Sequence, residues 1–191
     1  KVKAGQRLTK SVHDAPHFFL RVKIDAGSLL AQMERARDRV HALTGEQISL
    51  TALLARGVAF ALQKHPRMNA EVEADGLRLL PSVNLGIAAD TPAGLVVPVI
   101  HGIDRLSLAE ITLKLRELQR KARDGRLAPQ DLEGGSFTLS NLGMFGIDEF
   151  QAIINPPQVA ILAVGKLAEE PFRQEDGSVG WVSRFSVSLS A

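Results

Sequence analysis

In the stretch "GGSFTLSNLGMFG", Gly134 to Gly146, glycines bracket an apolar, strand-like run that ends in Ser140 and Asn141. A hydroxyl at the end of a strand, just ahead of a flexible turn, can attack a substrate, donate a hydrogen bond to one, or simply close the turn. Attack calls for the sharp Gly-x-Ser-x-Gly elbow that exposes a nucleophile. Ser140 instead follows Leu139 and has Leu142 two places later, so it is a poor covalent nucleophile. Donation needs only a hydroxyl fixed where negative charge develops, and such a donor to an oxyanion is worth on the order of a hundredfold or more in rate. A turn serine bonded to nearby backbone is the plainer alternative, and from this stretch alone it carries the greater weight.

Other reactive sets are thin. The chain has no cysteine, which removes disulfides, thiolate metal sites and a cysteine nucleophile together. The histidines His13, His17, His41, His65 and His101 show no HExxH pattern, and Pro16 between His13 and His17 argues against a shared helix face. No metal site is expected. The glycine run is neither GxGxxG nor GxxxxGK[ST], so no phosphate loop is present. Net charge is +2, from 23 basic and 21 acidic residues, and the pI near 9.2 overstates the basicity. Neither nucleic acid nor an anionic membrane is implied. No apolar run approaches the ~18 residues of a membrane helix and no signal-peptide pattern opens the chain; a soluble intracellular protein is the expectation. At 191 residues, 45% hydrophobic, a single core can bury roughly 70% of the unfolded chain's surface.

The elements that must hold Ser140 follow from local patterns. "HFFLRVKID" reads as a strand, and Asp25, Gly27 and Ser28 introduce a helix whose stripe is Leu29, Met33, Ala36, Val40 and Leu43, closed by Gly45. A second helix, apolar on nearly every side, runs from near Ser49 until Pro66 ends it. "AEVEADGLRLLP" suggests a hairpin around Asp75-Gly76, then "SVNLGIAAD" and "GLVVPVI" two strands joined across Thr91-Pro92-Ala93-Gly94. Ser107 and Glu110 form a capping box ahead of the stripe Leu108, Ile111, Leu115, Leu118 and Ala122. The outer face of that helix carries Lys114, Arg116, Arg120, Lys121 and Arg123, a solvated face first and a phosphate-binding one second. Pro129 suits a short helix, "PQDLEG". After the Ser140 strand come the strand "QVAILAVG", a hairpin around Asp176-Gly177 and "RFSVSLSA", whose apolar residues alternate with serines up to the last residue. Interleaved helices and strands with DG turns give an α/β class with some antiparallel pairing.

Several of these stretches, in order, resemble one family. "GGSFTLSNLGMFGIDEFQAIINPPQVAILAVG" resembles the signature region of the dihydrolipoamide acyltransferases, the core subunits of 2-oxo acid dehydrogenase complexes. "APHFFLRVKID", "HPRMNAEV" and "DTPAGLVVPVI" are similar to further family stretches, so the resemblance covers roughly Ser11 to Ala191. It implies a two-layer, chloramphenicol-acetyltransferase-like α/β fold, a mixed sheet packed with helices, in homotrimers that assemble into a larger cage. It also implies transfer of an acyl group from a dihydrolipoyl arm, delivered by a separate lipoyl domain, to the thiol of coenzyme A, with 2-oxo acid dehydrogenase and dihydrolipoamide dehydrogenase as partner components. No metal takes part. Ser140 aligns with the family serine that hydrogen-bonds the tetrahedral oxyanion. Asn141, Leu142, Gly143 and Met144 would shape the turn beside a channel between subunits. Leu95, Val97 and Pro98 would help line that channel, and Asn155 to Gln158 would lie near subunit contacts.

The family's general base belongs to a His-x-x-x-Asp-Gly motif that follows a strand like "SVSLSA"; these residues do not contain it, and neither His17 nor His101 inherits the role. The expectation is a single core domain over 1–191, cut short at both ends, with no lipoyl or peripheral-subunit-binding domain and no general base of its own. "SNLGMFGIDEFQAIINPPQ" is most similar to acetyl-transferring members. Two alternatives stay open: a structural core subunit that performs no transfer, and a phosphate or nucleic-acid binder using the basic helix. The compartment implied is the bacterial cytoplasm or the mitochondrial matrix.

Overall fold

The computed structural model describes residues 2–92 and 94–191. It opens with a helix, α1 (Val2–Asp14), followed by β1 (Phe19–Asp25), α2 (Gly27–Thr44) and α3 (Leu50–Lys64). The hairpin β2 (Ala70–Glu73) and β3 (Gly76–Leu79) precedes four short strands, β4 (Leu85–Ile87), β5 (Ala89–Thr91), β6 (Gly94–Val96) and β7 (Val99–Ile100). Then come α4 (Leu108–Arg123), β8 (Phe137–Asn141), β9 (Ile161–Val164), β10 (Ala168–Arg173) and β11 (Val179–Ser190). The main sheet runs β1-β11-β9-β8-β4-β7, with β10 beside β11. β8 lies parallel to both β4 and β9, while the other pairs are antiparallel. The expected mixed sheet packed with helices is what forms.

One face of the sheet carries α2, α3 and α4. Phe137 and Leu139 of β8, Leu85 and Ile87 of β4, Val164 of β9, and Phe185 and Val187 of β11 meet Ala52, Ala55, Ala59, Ile111 and Leu115 there. The opposite face is covered in part by the extended segment 150–154, where Ala152 and Ile154 pack with Ile161 and Ala163. Period-two alternation thus splits β9 between two cores, while β8 gives Phe137 and Leu139 to the helix-side core and turns Thr138 and Ser140 to the other face. Burying a leucine is worth about 1.5–3 kcal/mol. A one-residue slip of β8 would exchange buried Leu139 for Ser140, so the helix-side core fixes the direction of Ser140.

Several expectations are corrected. The N-terminal helix α1 was not anticipated; its Ser11 hydroxyl donates to the Ile154 carbonyl at 2.7 Å, a tertiary bond invisible in local spacing. "SVNLGIAAD" and "GLVVPVI" are each broken in two: β4 and β7 stay in the sheet, while β5 and β6 leave it as a separate ribbon. Ala93, in the turn expected between them, lies outside the described residues. The first hairpin turns on Ala74–Asp75, one residue earlier than expected. "PQDLEG" forms only a 3-10 turn, Pro129–Asp131. Leu43 is 67% exposed and drops off the α2 stripe. The expected capping box of α4 forms between Ser107 and Glu110, and α3 starts where expected, with the Ser49 side chain accepting from the Ala52 amide. β1 is an edge strand with every residue exposed, because only β11 pairs with it.

Candidate functional site

Ser140 stands near the end of β8, 9% exposed, on the face away from the helices. Among the described residues no group hydrogen-bonds its hydroxyl. Its neighbours are treated differently. Thr138 on the same face donates to Gln158 Oε1 at 2.6 Å, and Ser136 donates to Asn69 Oδ1 at 2.6 Å. Ser188 of β11 also lacks a partner, but it is 2% exposed and sits further into the sheet. Closing the turn is therefore not the task of Ser140. Asn141 does that, its Oδ1 accepting the Gly143 amide at 2.9 Å in an Asx turn.

Asn141 points to the opposite face, as alternation requires, and its Nδ2 donates to Thr51 Oγ1 of α3 at 3.1 Å. After it the chain makes a 3-10 turn over Gly143–Phe145. The backbone passes close to β9 here: a Cβ on Gly143 would stand 2.7 Å from the Gly165 carbonyl oxygen, so only glycine fits. Leu142 is half-buried, its amide donating to the Val164 carbonyl at 3.1 Å, and Met144 is 69% exposed.

The residues expected around Ser140 do not form one cluster. Asn141, Met144 and Pro98 line a small helix-side cavity of about 40 Å3 together with Thr51, Ile87 and Leu118. Val97 is on the Ser140 side of the sheet, where a Cβ on Gly86 would meet its Cγ1 at 2.7 Å and the Thr138 hydroxyl at 3.3 Å. Leu95 lies on the β5–β6 ribbon and is 53% exposed. The sequence reading did not single out Thr51, Gly86 or Thr138, and it placed Gln158 near subunit contacts rather than beneath β8. No local motif marks Thr51 or Gln158, whose partners lie 90 and 20 residues away.

The histidines are placed away from this chemistry. His17 Nδ1 lies 2.8 Å from the Ala15 carbonyl, and its Nε2 accepts the Ile154 amide at 3.1 Å. That amide can only donate, so the proton sits on Nδ1 and both nitrogens are committed. His101 Nε2 is 3.1 Å from the Gln130 carbonyl, and its ring lies beside Gly134, ahead of the start of β8. His13, His41 and His65 are exposed. Among the described residues no set of three or more His, Asp or Glu side chains is grouped to hold a metal. The basic face of α4 is partly neutralised. Lys121 bonds Glu117 at 2.8 Å and Asp131 at 3.3 Å, and Arg116 reaches Glu46 at 3.6 Å. The Lys121 bond holds Glu117 below its usual range, the Ala128 amide does the same for Asp131, and Glu117 raises Lys121. A face knit to its own carboxylates is a solvated one, which weakens the phosphate reading.

The profile of the 2-oxoacid dehydrogenases acyltransferase (catalytic domain) family matches residues 1–191. The chain is 39% identical over 163 residues to the mitochondrial pyruvate dehydrogenase protein X component of Mus musculus, covering 85% of this chain and 31% of that protein. It is 34% identical over 172 residues to the dihydrolipoyllysine-residue acetyltransferase component of the Zymomonas mobilis pyruvate dehydrogenase complex, covering 90% and 39%. The chain thus spans well under half of these relatives. Among solved structures, it superposes with a TM-score of 0.92 and 30% identity on dihydrolipoamide acetyltransferase of Azotobacter vinelandii, a structure directed at the catalytic roles of a serine, a histidine and an asparagine. The cubic core of a pyruvate dehydrogenase multienzyme complex matches as well, and in both cases 99% of this chain and 78% of the other are covered. Chloramphenicol acetyltransferase, at 11% identity and a TM-score of 0.59 over 97% of this chain and 84% of that one, shares the fold.

Proposed function

Because the chain belongs to the 2-oxoacid dehydrogenases acyltransferase (catalytic domain) family, we propose that it is a core acyltransferase domain over 1–191, moving an acetyl group from dihydrolipoamide to coenzyme A within a 2-oxo acid dehydrogenase complex. The observation that carries this reading is the unpartnered Ser140 hydroxyl at the end of β8. Attack of a thiol on a thioester carbonyl builds negative charge on the carbonyl oxygen, and Ser140 can donate its free proton to that oxygen without breaking a bond it already makes. Val97, beside Thr138 and Gly86 on the same side of the sheet, would border the reacting groups. Asn141 holds the turn, and Leu142, Gly143 and Met144 shape it. Leu95 and Pro98 would contact the substrate arms from the ribbon and the helix side.

A thiol with a pKa near 8.5 is mostly protonated at neutral pH, so the reaction needs a general base. By resemblance this is the histidine of a His-x-x-x-Asp-Gly motif, which these residues do not contain; the commitments of His17 and the placement of His101 keep both out of that role. The acetyl group is supported by relatives named as acetyltransferase components. Assembly of homotrimers into a cage is supported by the likeness to the cubic core. The lipoyl domain and the dehydrogenase components are the expected partners. Relatives include bacterial proteins and mitochondrial ones, in line with the bacterial cytoplasm or mitochondrial matrix, and no helix among the described residues is long and apolar enough to cross a membrane.

A structural, non-catalytic subunit is the second reading, favoured by the similarity to a protein X component and opposed by the relatives named as transferases. Acetyl transfer from S-acetyldihydrolipoamide to coenzyme A, measured on the full-length protein and its Ser140→Ala variant, tests both. The acyltransferase reading expects turnover that falls about 10²–10³-fold in kcat on removal of the hydroxyl. Turnover untouched by the substitution would overturn the role of Ser140. No turnover from an assembled full-length protein would put the structural subunit ahead.

A further inference from the structure

We propose that Thr51 is a positioning residue for the transfer reaction, holding Ser140 in place through Asn141; the inference rests on the acyltransferase reading above. β8 is clamped between two strands only as far as Leu139. On the β4 side its partners are Leu85, Gly86 and Ile87, and the last link is the Ala88 amide donating to the Leu139 carbonyl at 2.9 Å. Beyond that point the chain leaves the sheet for the β5–β6 ribbon. Ser140 and Asn141 keep β9 alone, through Ala163 and Val164. The strand is therefore held along one edge at the residue where placement matters.

Packing does not replace the missing edge. Behind Asn141, where a core side chain would normally fill space, lies the 40 Å3 cavity walled by Ile87, Ala88 and Leu118. What spans this gap is a polar link. The Gly143 amide donates to Asn141 Oδ1 at 2.9 Å. A backbone N–H can only donate, so this bond fixes the orientation of the carboxamide and turns Nδ2 toward α3. There Nδ2 donates to Thr51 Oγ1 at 3.1 Å. Thr51 is 7% exposed in the first turn of α3, whose Ala52, Ala55 and Ala59 are wholly buried. It is thus a rigid anchor. Ser140 and Asn141 are joined by one planar peptide, so restraint on the Asn141 side chain restrains the Ser140 side chain on the opposite face. Without the Thr51 hydroxyl, Nδ2 faces a cavity wall with no partner, and the end of β8 gains freedom.

The test uses Thr51→Val, which removes the hydroxyl at similar shape, and Thr51→Ser, which keeps it; Thr51→Ala stands in should the valine variant fail to fold. In the full-length protein, Thr51→Val is expected to lower kcat by about tenfold or more, since displacement of about 1 Å can cost 10²-fold. The KM values for dihydrolipoamide and coenzyme A should stay within about twofold because no substrate contact is lost. Thr51→Ser should restore kcat. Independently of turnover, amide hydrogen exchange on this chain should be faster at Leu142 and Gly143 in Thr51→Val, but not in Thr51→Ser. Unchanged exchange, or a kcat unaffected by loss of the hydroxyl, would overturn the proposal. Should the unsubstituted full-length protein prove inactive, the acyltransferase reading fails by itself, and the exchange measurement still decides whether Thr51 pins the strand end.

Discussion

Removing the Ser140 hydroxyl leaves no protein group unpaired, whereas removing the Thr138 hydroxyl strands Gln158 Oε1 in a buried site. The two substitutions should therefore separate in a urea titration. Ser140→Ala is expected within about 0.5 kcal/mol of the parent, and Thr138→Ala to be destabilised by about 1–3 kcal/mol. Equal losses would mean that Ser140 has a structural partner after all. Gly86 offers a third contrast. An alanine there would put Cβ 2.7 Å from Val97 Cγ1, overpacking worth about 1–3 kcal/mol, and would push Val97 on the Ser140 side. Gly86→Ala should lower both Tm and acetyl transfer, and a variant with a parental melt and parental turnover would contradict the crowding. At this scale the sequence shows that Ser140 is set at a strand end, because alternation and the flanking glycines are local. It does not show that the hydroxyl is free, because that depends on what Gln158 and Asn141 do instead.

The α4 cap is the clearest case of an element readable in advance. The Glu110 amide donates to Ser107 Oγ at 3.3 Å, and the Ser107 amide donates to Glu110 Oε2 at 2.8 Å. Ser107→Ala should cost about 1 kcal/mol in chemical denaturation. The Ser107 hydroxyl, then its amide, hold the Glu110 carboxyl below its usual value. A carboxyl lowered in the folded state stabilises above its unfolded pKa of about 4.3 and ceases to do so as pH falls through the lower folded value. The stability gap between the parent and Glu110→Gln should accordingly be full at pH 7 and close only below about pH 4; a gap constant down to pH 2 would rule out the carboxylate as its source. Other elements resisted sequence reading for physical reasons. α1 has 13 residues, a length marginal without tertiary support, and it gains that support through Ile154. The strand expected over Gly94–Ile100 has no polar side chain, and in that over Ser82–Asp90 the polar ones, Ser82, Asn84 and Asp90, leave the run from Leu85 to Ala89 unbroken, so nothing in their pattern says where β5 and β6 peel away to form their own pair.

Taken as a whole, the molecule leaves much apolar surface in water. β1 has one bare edge and carries Leu20 at 57% and Val22 at 56% exposure, and Met144, Phe145 and Trp181 are each more than 60% exposed. Surfaces of this kind favour association over a free monomer. Sedimentation at micromolar concentration is expected to give a trimer or larger species, and a stable monomer would count against the proposed assembly.

The sequence by itself determined the α/β class, the capping box of α4 and the place of Ser140 at a strand end, since each follows from local periodicity or from a contact within four residues. The tertiary structure alone decided that Asn141 belongs to α3 through a bond to a residue 90 positions away and that the expected lining residues fall on both sides of the sheet. It also decided that His17 is tied to the backbone at Ala15 and Ile154. These are outcomes of which buried polar group finds which partner once the layers close, and no local spacing encodes that choice.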